Sequence, residues 1–214
     1  MIKLQRGPKP IILSKKENEW LQLLRSEIAA GKTVNQTTVS SNYNNPDVKK
    51  SIADSSHSKC MYCESKIKHI DHGEIEHIKP KSLFNDLIFS WENLGFTCSV
   101  CNKNKSNYYS ASTPVIDPFI ENPGDHLIAL GTLIFSKNAS DKGQITQSKL
   151  DLNRAALVEQ REIKVTEIHV AIDRFQRVVN PDVKKALFAE LEKFLIDSSE
   201  YSFVSRAAYH ALVK

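Results

Sequence analysis

The sequence has no apolar run near the roughly 18 residues that a membrane span needs. The longest near its start is Ile11-Ile12-Leu13, too short for the apolar core of an export signal as well. It has only four cysteines in 214 residues, too few for a disulfide-framed secreted fold. It has no Gly-x-x-x-x-Gly-Lys loop, so any use of ATP would have to come from another chain. It also lacks a strong charge of one sign. Lys and Arg number 29 against 25 Asp and Glu, a formal +4, which permits a nucleic-acid partner without demanding one. These absences predict a cytoplasmic protein with no membrane partner. What is present is globular in proportion, with 41% hydrophobic and 25% charged residues. That suits one ordinary domain or a compact pair of small ones.

The four cysteines form two Cys-x-x-Cys pairs, Cys60/Cys63 and Cys98/Cys101. In a reducing compartment two such pairs predict a four-thiolate site for Zn2+. The bland alternative is two unrelated redox or buried pairs. A closed four-thiolate site has no open coordination position, so its zinc would be structural, and no cysteine is left over as a nucleophile.

Three segments follow from composition and patterning. Residues 1–56 hold an N-terminal arm and helices. The arm carries Lys3, Arg6 and Lys9 with no acid, and Gly7, Pro8 and Pro10 keep it out of helix, so it is expected to be extended and solvated. Ser14-x-x-Glu17 predicts a capping box for a helix with Trp20, Leu21, Leu24 and Ile28 on one face and Gly31 at its stop. Asn45-Pro46-Asp47 predicts a second helix start. The same hexapeptide, Asn-Pro-Asp-Val-Lys-Lys, recurs at Asn180 and reads as one good start used twice. Residues 57–110 form a short-range, polar core. Residues 111–214 begin as loop, with strands expected at 127–130 and 132–135. From Leu152 they turn helical, with an apolar stripe through Val158, Val165, Ile168, Ile172, Phe175 and Val179. Two more helices are expected, one after Pro181 and one over 202–212.

The two cysteine pairs are separated by 34 residues, Glu64 to Thr97, more than the roughly 15–20 of a common double knuckle. The insert contains Gly73-Glu74-Ile75-Glu76-His77-Ile78-Lys79-Pro80. Its alternation predicts a short strand that Pro80 ends, placing Glu76 and His77 at the strand end. Trp91-Glu92-Asn93-Leu94 follows. The second cysteine pair then leads into a helix expected near Asn102.

This order resembles the HNH endonuclease motif, a ββα-metal finger. An acid–His pair ends one strand, an Asn lies in the connecting loop, and a His or Asn sits on the following helix. Glu76-His77, Asn93 and Asn102 occupy those places, a His-Asn-Asn variant with Glu where Asp is common. The residue types suit phosphodiester hydrolysis. A neutral His77 can act as general base near cellular pH. Glu76 and Asn102 offer oxygen ligands to one hard cation, Mg2+ or Mn2+. Asn93 would orient His77. Lys105 above all, and Lys103, Lys79 and Lys81 beside it, could contact phosphates; the bland reading is a solvated face. His69, His72 and His57 are expected to be loop residues rather than ligands.

A wider resemblance extends beyond the finger. Cys-Met-Tyr-Cys-Glu (60–64), Ile-Glu-His-Ile-Lys-Pro-Lys-Ser (75–82), Ile-Asp-Pro-Phe (116–119), Asn-Pro-Gly-Asp-His-Leu (122–127) and Leu-Asp-Leu-Asn-Arg (150–154) are similar to the HNH subunits of Septu-type bacterial antiphage systems and their retron-associated relatives. The resemblance implies an effector nuclease restrained by an ABC-type ATPase, PtuA. In retron versions a reverse transcriptase and its RNA–DNA product join the assembly. The fold expected is α+β and mainly α-helical, a zinc-stabilised ββα-metal finger embedded among helices, with residues 111–214 docking a partner. The competing readings are a stand-alone restriction-type HNH nuclease and a non-catalytic zinc-finger adaptor that binds nucleic acid or a partner.

Overall fold

The computed structural model describes residues 1–67 and 72–213. In chain order it contains α1 (Ile11–Ala29), α2 (Pro46–Ser55), β1 (Glu74–His77), β2 (Leu94–Thr97), α3 (Ser99–Lys105), β3 (Leu127–Leu130), β4 (Leu133–Ser136), α4 (Asp141–Lys149), α5 (Ala155–Arg177), α6 (Pro181–Leu195) and α7 (Ser202–Leu212). Both sheets are two-stranded and antiparallel. The fold is thus mainly helical, with a small β1–β2 ribbon followed at once by α3. His69 lies outside the described residues. None of the described helices is long and apolar enough to cross a membrane.

Local chemistry accounts for the helix starts. Asn45 caps α2, accepting a bond from the Asp47 N–H, and Asn180 caps α6 through the N–H groups of Asp182 and Val183. In both, proline occupies the first turn, where its missing N–H costs nothing. The Ser14 capping box is not used. The α1 helix begins earlier, directly after Pro10; Ser14 Oγ donates back to the Pro10 carbonyl, and Glu17 pairs with Lys9. The stripe on α5 holds at Val165, Ile168 and Ile172, with Phe175 packed beside them, and departs at its ends. Leu157, Arg161, Val165, Ile168 and Ile172 are buried, whereas Val179 lies beyond the helix and is 90% exposed.

The N-terminal arm departs most from expectation. Met1, Ile2 and Leu4 are buried in the core rather than solvated. The Leu4 N–H donates to the Pro118 carbonyl. Arg6 donates to the carbonyls of Leu94 and Glu92 and stacks 4.0 Å over the Phe119 ring. The arm is a strap across the finger. The main apolar cluster draws on residues from Met1 to Val204, and a smaller one joins Ile168, Ile172 and Leu191.

The first cysteine turn is held at both ends. Met61 N–H donates to the Phe96 carbonyl on β2. Gly95 makes that approach possible, because a Cβ there would lie 2.1 Å from the Met61 sulfur. From the other side Ser65 Oγ bonds Tyr201 at 2.9 Å and Lys59 donates to the Ser199 carbonyl at 2.7 Å. Glu64 is buried beneath this joint. Burial would raise its carboxyl, but the Met1 amino group, Lys59 and Ser202 outweigh it and hold the group at about 2. Glu64 therefore stays ionised as an anchor between the knuckle and α7.

Candidate metal centres and catalytic site

The four cysteine sulfurs lie within 4.8 Å of one another, and all four residues are buried. Cys63 and Cys98 Sγ are 3.8 Å apart, close to the separation of two thiolates bound tetrahedrally at about 2.3 Å from one Zn2+. The donor set and its spacing therefore fit a structural zinc. Cys98 also begins α3. Its Sγ accepts the Cys101 N–H, so the metal ligand doubles as helix cap. That explains why the helix starts at Ser99 and not near Asn102. Arg154, closing the Leu-Asp-Leu-Asn-Arg segment, reaches Cys101 Sγ at 3.7 Å and Cys98 Sγ at 3.9 Å. A fixed cation here offsets the surplus negative charge of four thiolates around a dication. The neighbouring Asn153 takes both backbone groups of Ile134 on β4. The composition of the loop gave no signal for Arg154; its contact with the sulfurs is a tertiary one.

The β1–β2 ribbon carries the second group. Glu76 faces Gly95 across the ladder and His77 faces Leu94. Glu76, His77 and Asn93 are each at most 8% exposed. His77 Nε2 lies 3.0 Å from the Ile88 carbonyl. A carbonyl can only accept, so Nε2 carries the proton and Nδ1 keeps a lone pair. Burial pulls the ring down to about 4, so it is neutral at cellular pH. Tyr43 packs edge-on against the imidazole with centroids 4.5 Å apart, and Lys81 donates to its hydroxyl. Nothing in the local sequence marks Tyr43, which comes from the loop before α2.

Asn93 acts on the backbone. Its Oδ1 accepts the Lys79 N–H at 2.7 Å, and its Nδ2 donates to the carbonyls of Lys79 and Leu87 at 3.0 and 3.1 Å. It thereby ties the chain leaving β1 to the turn that carries Ile88, the partner of His77.

Glu76 and Asn102 are brought to the β1–α3 junction, but each is already engaged. Asn102 Nδ2 donates to Glu74, which shares a strand face with Glu76. This leaves Oδ1 as the Asn102 atom with the chemistry of a metal ligand. Glu76 is ion-paired with Lys105. Burial still raises the Glu76 carboxyl to about 7, with Lys105 opposing and Glu74 reinforcing the rise. Lys105, expected at a phosphate, is 2% exposed and also donates to the His77 carbonyl at 2.9 Å. It lies beneath the site as an internal counter-ion. Lys79 and Lys103 are exposed and Lys81 is half-buried. His57 and His72 are exposed loop residues. The oxygen donors and the neutral imidazole suit one divalent cation and proton transfer.

Residues 60–108 match the model of the HNH endonuclease family. The chain is 30% identical over 155 residues to the Septu protein PtuB of Bacillus thuringiensis, covering 72% of this chain and 55% of that protein. It is 27% identical over an alignment 245 positions long to the Septu protein PtuB of Bacillus mycoides (strain KBAB4), covering 95% of this chain and 83% of that protein. The chain thus spans little more than half the length of the first of these relatives. It carries an HNH endonuclease domain at residues 60–108, and along most of its length it is similar to the Septu protein PtuB.

Proposed function

We propose that this chain is a metal-dependent HNH endonuclease acting as the effector of a Septu-type antiphage assembly. The observation that supports it best is the buried, neutral His77, its tautomer set by Ile88, beside the oxygen donors of β1 and α3. His77 Nδ1 takes a proton from a water. The water oxygen attacks phosphorus and the bond to the 3′-oxygen breaks. Glu76 and Asn102 Oδ1 are the residues that would hold Mg2+ or Mn2+. Such an ion would supply positive charge to the scissile phosphate and the leaving oxygen. Asn93 positions His77 through the backbone. Lys79, Lys81 and Lys103 meet neighbouring phosphates. The PtuB similarity supports an ATPase partner, PtuA, docked on the helices outside the finger.

Cleavage of supercoiled plasmid with added Mg2+ tests the reading, with wild type and His77→Ala each expressed together with the proposed ATPase partner. Nicking or linearisation by wild type alone is expected. Equal cleavage by both would refute His77 as the base.

A further inference from the structure

Beside the catalytic ribbon lies a cavity of about 230 Å3 that the reaction itself does not use. Tyr108, Tyr109 and Ile120 give it apolar surface, Asp117 and Glu121 carboxylates, and Lys79 positive charge, while the Lys142 ammonium is paired with Glu121 at 2.8 Å. None of Glu76, His77, Asn93 and Asn102 lines it, but two of their neighbours do. Lys105, the counter-ion of Glu76, lines it, as does Ile78, the residue after His77. Both tyrosines are held by groups outside the cavity. Phe84 meets Tyr109 edge-on at 4.6 Å, and the Lys149 ammonium lies 4.9 Å from the Tyr108 ring. Tyr108 is tied further by its hydroxyl bond to the Thr113 carbonyl at 2.9 Å. Asp117 is fixed by accepting the Phe119 N–H at 2.9 Å. This is the Asp of the Ile-Asp-Pro-Phe segment, 8% exposed, for which the hydrolysis has no task.

The combination is that of a base subsite. Pre-fixed aromatic rings stack any nucleobase, the exposed Lys79 takes an adjoining phosphate, and a carboxylate accepts from base N–H groups. Size agrees. The cavity has room for roughly eight waters at about 30 Å3 each, enough to take one base. We propose that this cavity binds one unpaired nucleobase of the strand being cut, next to the scissile phosphate, so that single-stranded or locally opened nucleic acid is the preferred substrate. This rests on the nuclease reading above, but it is tested by binding and not by turnover.

The probes are fluorescein-labelled 12-nucleotide single strands without added Mg2+: oligodeoxythymidine, its ribose counterpart, and an abasic strand with the same sugar-phosphate backbone. Anisotropy gives the affinity of the wild-type chain, Tyr109→Ala and Tyr109→Phe. We expect wild type to prefer a base-bearing strand over the abasic one by about five- to a hundredfold, the range for one stacked base. Tyr109→Ala should abolish the preference while leaving abasic affinity unchanged, and Tyr109→Phe should restore it. The deoxy and ribo arms report which sugar the site accepts. Equal affinity for base-bearing and abasic strands in wild type would overturn the proposal. So would a Tyr109→Ala variant that melts like wild type yet keeps the preference. If base binding is found but plasmid cleavage is indifferent to His77→Ala, the nuclease reading falls and the subsite stands. The reverse outcome removes only the subsite.

Discussion

The finger holds a thiolate cluster that fits a metal ion and a group of oxygen donors proposed to hold another, built on opposite principles. At the thiolate cluster the donors face one another within 4.8 Å, buried, with Arg154 as their outer cation. At the oxygen site the donors face other protein groups: Glu76 is paired with Lys105 and Asn102 with Glu74. The first arrangement closes around an ion and leaves no free position. In the second, a protein cation and an amide are paired with the acidic groups. A structural metal would therefore be part of the fold, while the proposed catalytic one would compete with internal partners. Lys105 is the residue that makes this difference possible, since an unpaired carboxylate as buried as Glu76 would otherwise be strongly unfavourable.

This contrast can be broken most severely at the thiolates. Structural zinc contributes on the order of 10–16 kcal/mol of apparent binding free energy in small zinc modules. Cys98→Ser should therefore lose both the metal and the cap of α3, giving zinc content near zero and loss of helical signal by circular dichroism. A variant that stays folded and zinc-free would refute the structural assignment.

His77→Ala should leave zinc content and melting temperature close to wild type while lowering cleavage by about 10²- to 10⁴-fold, the usual worth of a positioned base. Lys105→Met strands the Glu76 carboxylate and should cost about 3–5 kcal/mol in denaturant titration at pH 8. Unchanged stability would show that the pair is dispensable. Asn93→Ala leaves three backbone groups without their partner. It should cost about 1–3 kcal/mol and slow cleavage through misplacement of His77, with zinc retained.

The smallest effect is one of pH. In the metal-free protein Glu76 sits at about 7, above its ordinary 4.5. The folded state thus favours the protonated form. That contribution is full below about 4.5 and disappears as pH rises through about 7. Without metal, wild-type stability should fall between pH 4.5 and pH 8, whereas Glu76→Gln, which has no carboxyl to titrate, should lack that fall. Matched denaturation curves at both pH values check the sign.

How much of this was legible in the sequence depended on the range of the interaction. The cysteine spacing, the Glu-His strand end and the two Asn-Pro-Asp helix starts are local patterns, and each carried its own geometry. The α3 boundary was missed because its cap is a cysteine, not one of the usual capping residues. The N-terminal strap was missed because Met1, Ile2 and Leu4 are too few to show a period, and their burial depends on contacts with residues near 118. Lys105 read as a phosphate ligand because a lysine after a metal-binding helix turn looks the same whether its ammonium faces solvent or Glu76. Tyr43 and Arg154 reach their sites from distant loops, where sequence spacing says nothing.

The central claim is that one module keeps a zinc for folding and a separate, exchangeable ion for hydrolysis at His77. The most direct measurement follows zinc content and supercoiled-plasmid cleavage in the same samples, wild type and His77→Ala, each co-expressed with the proposed ATPase partner, before and after Mg2+ is added. The account predicts one zinc per chain throughout and cleavage only by wild type with Mg2+. Cleavage by His77→Ala at the wild-type rate, or full cleavage without added Mg2+ in samples holding only the thiolate-bound zinc, would contradict it.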